Sequence, residues 1–90
     1  MVKIPLFSDA FGAEAGEIVI SNEEIRIRHK DERINAPLSY LTEVTLIDRL
    51  ALGKVKARII VYDIIGNKYS FEPIMNESNF HTLRGFIKKI

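Results

Sequence analysis

A chain of 90 residues, 47% hydrophobic and 28% charged, fits one globular domain, because so short a chain cannot divide its apolar residues between two stable cores. With no cysteine it has no disulfide framework, no thiolate nucleophile and no sulfur-ligated zinc or iron. A formal net charge of +1 argues against a dedicated nucleic-acid binder, since neutralising phosphates needs a clear cationic excess.

The longest apolar run, Ile59 to Tyr62, is far too short to span a membrane. The start of the chain lacks the cationic segment and long apolar stretch of a secretory signal, so the expected location is cytoplasmic. Charge is spread unevenly. Asp9, Glu14, Glu17, Glu23 and Glu24 dominate the beginning, whereas Arg26, Arg28, Lys30, Arg33, Arg49, Lys54, Lys56 and Arg58 fill the middle. That distribution predicts a basic side and an acidic side.

In chain order, Val2 to Phe7 reads as an apolar strand around Pro5, and a proline, which cannot donate to a ladder, suits an edge or a strand start. Gly12 to Gly16 reads as a loop. Glu17 to Ser21 and Glu24 to Lys30 then flank Asn22-Glu23, a two-residue turn whose asparagine tolerates positive φ. The resulting register sets Ile20 opposite Ile25 and Ile18 opposite Ile27 on one face. Glu17 then faces Arg28, and Val19 faces Arg26, on the other.

Arg33 to Pro37 reads as a short strand, Leu38 to Thr42 as one helical turn with Ser39 as its N-cap, and Glu43 to Asp48 as a further strand. Arg49 to Lys54 is a connecting loop. The hairpin around Ile64-Ile65-Gly66-Asn67 offers two registers. A two-residue loop at Gly66-Asn67 would bury Lys54, Lys56 and Arg58, which is too costly for three cations. A three-residue loop from Ile64 to Gly66, with Gly66 left-handed, instead buries Val55, Ala57, Ile59 and Val61 against Tyr69 and Phe71. It also sets Arg58 opposite Glu72. After Pro73 the period changes: Phe80, Leu83, Ile87 and Ile90, with Phe86 widening the stripe, fall at helical spacing. Asn76 or Ser78 can cap this helix, Glu77 suits its positive end, and Lys88 and Lys89 suit its negative end.

The order of elements, about six or seven short strands and then one amphipathic helix, resembles the pleckstrin-homology-like superfold in its prokaryotic and GRAM-type form. Gly16 to Ser21 followed by Glu24 to Ile27 is similar to the opening hairpin of that family. Ile34 to Val44 resembles its strand, polar turn and strand segment, Gly66 to Phe71 its last hairpin, and Phe80 to Ile90 its closing helix. The resemblance implies one domain over residues 1–90: a mainly β barrel of two near-orthogonal antiparallel sheets, capped by the C-terminal helix. Phe80 or Phe86 would take the place of the tryptophan usual in the family's eukaryotic helix. The family's phosphoinositide signature needs a lysine before a spaced basic pair. Here Arg26-Ile27-Arg28 supplies the pair, but the turn before it, Asn22-Glu23-Glu24, is acidic.

Catalysis has no foothold in these residues. His29 and His81 stand without a cysteine or a Ser/His/Asp spacing, Asp31-Glu32 reads as a solvated turn, and no metal-ligand spacing occurs. The expectation is therefore a module that is not an enzyme, with no cofactor, no metal and no catalytic residue. Alternation turns Arg26, Arg28 and Lys30 outward on one strand and Lys54 and Lys56 outward on another, with Arg33 close by. These six form the candidate anion or partner face, with Glu17 and Glu72 expected to neutralise Arg28 and Arg58. Leu50 and Leu52 in the loop, with Ile60 and Tyr62 on the outer strand face, are the candidate apolar contacts. The expected partner is a protein, or a second copy of the chain, gripped by these apolar residues and oriented by the cations. The alternative is an anionic lipid or inositol phosphate at a membrane surface, held by the basic face.

Overall fold

Alternation of apolar and polar residues builds β1 (Val2–Phe7), β2 (Glu14–Ser21), β3 (Glu24–His29) and β4 (Glu32–Pro37) as a meander. A single 3-10 turn, Leu38–Tyr40, leads into β5 (Leu41–Arg49) and β6 (Lys54–Tyr62). Then follow β7 (Lys68–Phe71), β8 (Ile74–Asn76) and α1 (Glu77–Arg84). The computed structural model describes residues 1–87.

All strand pairs are antiparallel, in the order β4-β3-β2-β1-β8-β6-β5, with β7 beside β6. The protein is thus mainly β, a curled antiparallel half-barrel capped by the C-terminal helix. The break at Glu72-Pro73 divides one bent segment into β7 and β8, which gives eight strands among the described residues. Pro73 lies where a ladder donor would be needed, yet its carbonyl still accepts from the Ala57 N–H at 3.1 Å. One pair, Phe7 with Ile74, joins the β1–β4 meander to the rest of the sheet.

Both hairpin registers match the sequence reading. Asn22 and Glu23 have φ of 54° and 62°, the positive pair that a tight two-residue turn requires. Ile20 pairs with Ile25, Ile18 with Ile27, Val19 with Arg26 and Glu17 with Arg28. In the later hairpin Val61 pairs with Tyr69 and Ile59 with Phe71, Gly66 has φ of 91°, and the Asp63 N–H donates to the Asn67 carbonyl at 3.0 Å. The Asp63 carboxylate then accepts from the N–H groups of Ile65 and Asn67, the Asn67 amide and the Tyr69 hydroxyl. This scaffold holds Ile64 and Ile65 out in solvent, 77% and 82% exposed.

Inward residues of every strand meet in one core. Ile4, Leu6, Ile18, Ile25, Ile27, Val55, Ala57, Ile59 and Val61 are essentially inaccessible, and Phe80 and Leu83 of α1 close the open end over Met75. No charged side chain is buried among the described residues, so the cations stay hydrated, as the cost of burying them demands.

Local boundaries differ in several places: β4 begins at Glu32 rather than Arg33, and the turn ends at Tyr40 rather than Thr42, so that β5 runs Leu41–Arg49 rather than Glu43 to Asp48. β2 starts at Glu14 rather than Glu17, because β1 pairs Leu6 with Gly16 and Phe7 with Glu14, leaving Ala15 as the extra residue of a bulge. Gly16 is therefore a strand residue pressed against β3: a Cβ there would lie 1.9 Å from the Arg28 carbonyl oxygen. Pro37, not Ser39, precedes the 3-10 turn, and no side chain caps it. Asn76 stands at the N-cap of α1 without a side-chain bond, and the helix ends at Gly85, a residue with little helical preference. Phe86 and Ile87 still pack partly buried against the core. Lys88, Lys89 and Ile90 lie outside the described residues.

Candidate functional site

Because β1 to β4 form a meander, their outward residues fall into rows across four strands. Lys3, Val19, Arg26 and Asn35 make one row, and Pro5, Glu17, Arg28 and Arg33 make the next. Inward parity of Ile4, Leu6, Ile27 and Ile34 fixes this choice, since burying those residues turns their neighbours out. The result is a shallow concavity of about 510 Å³ lined by Lys3, Arg26, Arg28 and Arg33, with Glu17 as its one carboxylate.

Charge in this concavity is poorly neutralised. Arg28 pairs not with Glu17, as expected, but with Glu14 at 3.4 Å, on a side chain that is 72% exposed. Such a surface pair contributes about 0–1 kcal/mol. Among the described residues, Lys3, Arg26 and Arg33 take part in no ion pair. Arg28 and Arg33 also stand directly opposite each other on β3 and β4, and like charges so placed are destabilising. The arrangement creates a positive potential that an anionic group relieves.

The remaining candidate cations lie elsewhere. Lys54 sets its ammonium 5.1 Å from the centre of the Phe7 ring, an attraction of about 0.5–1 kcal/mol at an exposed site. Lys30 and Lys56 share a second hollow, of about 460 Å³, with Asp31, Glu32 and Glu72, so carboxylates offset them. Arg58 is bonded to Glu72 at 3.3 Å, as the register requires. Lys3 was missed in the sequence, although the inward parity of Ile4 and Leu6 was the signal that could have added it.

The apolar candidates also separate. Leu50 is half-buried, and Leu52 is 67% exposed with φ of 61° at the tip of the β5–β6 loop. The flanking Arg49 is bonded to Glu77 at the start of α1, and the Gly53 carbonyl accepts from the Glu77 N–H at 2.9 Å. The Arg49 hydrogen bond holds the Glu77 carboxyl below the usual range against the opposing effect of burial. Ile60 and Tyr62 are half-buried near the far end of β6, where Glu43 and Ser70 flank Ile60 and Lys68 faces Tyr62. A third hollow, about 660 Å³ and bordered by Leu38, Leu41, Phe86 and Ile87, was not foreseen.

His29 packs edge-on against Phe71, ring centres 6.0 Å apart. Burial and the neighbouring Lys30 push its pKa down, against the upward pull of Glu32. His81 is exposed, 3.5 Å from Glu77 across one helical turn. Among the described residues no group of three His, Cys, Asp or Glu could hold a metal ion, and no helix is long and apolar enough to cross a membrane. Compared with known proteins, the chain matches no family model, no curated protein and no solved structure.

Proposed function

We propose that this protein is a non-catalytic interaction module of pleckstrin-homology-like type, binding an acidic surface of a protein partner on the outer face of β1–β4. The antiparallel strands followed by a capping helix support the type. One observation carries the binding reading: Lys3, Arg26, Arg28 and Arg33 line a single concavity whose only acidic wall, among the described residues, is Glu17. A partner's carboxylates lower the repulsion between Arg28 and Arg33, so electrostatics set both encounter rate and orientation. An anion cradle that also recruits Lys54 and Lys56 draws less support, since one cation sits over Phe7 and the other among carboxylates.

Poly-L-glutamate and vesicles of phosphatidylcholine with phosphatidylglycerol separate the two anion classes. The protein binds polyglutamate, with affinity falling as salt rises, and the Arg26→Glu, Arg33→Glu double variant loses that binding. Binding to the vesicles with none to polyglutamate would replace the protein partner by a membrane surface. Full retention in the double variant would move the site off this face.

A further inference from the structure

β4 is hydrogen-bonded on one side only. β3 occupies that side, and no strand among the described residues pairs with the other. Which backbone groups the open edge displays follows from the ladder. The Leu38 N–H donates to the Glu23 carbonyl at 2.8 Å, in the same register that pairs Glu24 with Pro37 and Ile25 with Ala36. Bonded and non-bonded pairs alternate along an antiparallel ladder. Ala36, Ile34 and Glu32 therefore turn their N–H and C=O groups toward β3, while Arg33, Asn35 and Pro37 turn theirs outward.

The other side of β3 gives the same answer. The Lys30 N–H donates to the Ala15 carbonyl at 2.9 Å, which assigns Arg28 and Arg26 to β2 and leaves Ile27 and Ile25 for β4. Pro37, which has no N–H to offer, falls on the open edge, where a proline is tolerated.

Arg33 and Asn35 thus do two things at once. Their backbone groups form the open edge, and their side chains line the basic concavity. A strand laid along β4 bonds to both residues and places its own outward side chains beside Arg33, with Arg28 and Arg26 one strand further in. On the opposite face its side chains continue from Ile34 and Ala36, which are 8% and 3% exposed. We infer that the occupant of this face is an extended segment of a partner protein, with an acidic side chain at every second residue, adding to β4 as a further antiparallel strand. This rests on the acidic-partner reading and gives it a geometry: main-chain bonds supply affinity and the alternate carboxylates supply selection. A second copy of β4 is a poor occupant, because its outward residues, Arg33, Asn35 and Pro37, bring a cation and no carboxylate to the basic concavity.

The test uses a short synthetic peptide of alternating glutamate and threonine, its lysine-threonine counterpart, and two N-methylated forms of the first. Outward residues of an antiparallel added strand stand opposite Arg33 and Asn35, so the glutamate N–H groups point at β4 and the threonine N–H groups point away, an assignment that a parallel strand would reverse. Methylating the glutamate nitrogens weakens binding by about tenfold or more, as loss of two or more hydrogen bonds implies, whereas methylating the threonine nitrogens leaves it nearly unchanged. Amide exchange at Arg33 and Asn35 slows in the complex. If both methylated peptides bind like the parent, or both lose binding equally, strand addition is overturned. The acidic-face reading survives in the first of these cases. If the glutamate peptide binds no better than the lysine peptide, both fall.

Discussion

Arg28 and Arg33 stand directly opposite each other across the β3–β4 ladder, two guanidinium-bearing residues where folding alone favours opposite charges. Glu14 reaches Arg28, and among the described residues no carboxylate pairs with Arg33. Arg33 therefore lowers stability where it stands while it lines the basic concavity.

Stability and binding should therefore move in opposite directions at Arg33. Arg33→Glu turns the repulsive pair into an attractive one and raises unfolding free energy by about 0.2–1 kcal/mol, while polyglutamate binding falls. Urea denaturation and calorimetric titration on the same preparation check both halves. A destabilised variant would show that the arginine pair does not repel.

Gly16 is fixed by close approach. A methyl group there would meet the Arg28 carbonyl at 1.9 Å, so Gly16→Ala must push β2 away from β3. A loss of about 1–3 kcal/mol is expected. Thermal unfolding reads it directly, and an unchanged midpoint would mean that the bulge at Ala15 absorbs the clash.

His29 makes stability pH-dependent in a defined direction. Burial beside Phe71 and the Lys30 charge hold its folded pKa below the usual histidine value, whereas Glu32 opposes them. As pH falls, the unfolded chain takes up the proton first. The stabilisation is complete above the ordinary histidine pKa, declines as pH drops through it, and is lost once the lowered folded value is passed. Urea midpoints at about pH 7.5 and about pH 5 should differ more for the wild type than for His29→Gln. Identical pH dependence of the two proteins would exclude His29 as the source.

Asp63 works at lower pH. Burial raises its pKa, but hydrogen bonds from the Asn67 N–H and amide, the Tyr69 hydroxyl and the Ile65 N–H outweigh that and leave it depressed. The carboxylate's contribution is therefore present above the ordinary carboxylate pKa and is lost as pH falls through the folded value. Protection of the Ile65 and Asn67 amides from exchange, taken relative to the intrinsic rate at each pH, should fall on acidification, and in Asp63→Ala it should be low at every pH. Strong protection in that variant would show that Gly66 alone sets the loop.

The same parity argument that orders the hairpins also explains what escaped the sequence. Inward apolar residues fixed the registers at Asn22-Glu23 and at Gly66, because a one-residue slip would bury Arg26 and Arg28 in the first hairpin and Lys54, Lys56 and Arg58 in the second. Parity tells which face a residue takes and not which strand lies beside it. Lys3 joined the basic hollow, and Lys54 and Lys56 left it, through pairings between elements distant in the chain. Glu14, drawn into β2 by its pairing with Phe7, takes the ion pair with Arg28, although Glu17 still stands opposite Arg28 in the β2–β3 register.

By itself, then, the sequence determined the mainly β fold, the inward rows of both hairpins and the closing helix, since each follows from local periodicity and the cost of burying charge. Only the tertiary structure decided that Lys3, Arg26, Arg28 and Arg33 share one concavity and that β4 keeps an open edge. Strand neighbours are chosen by the packing of the whole core, which no short window of residues records.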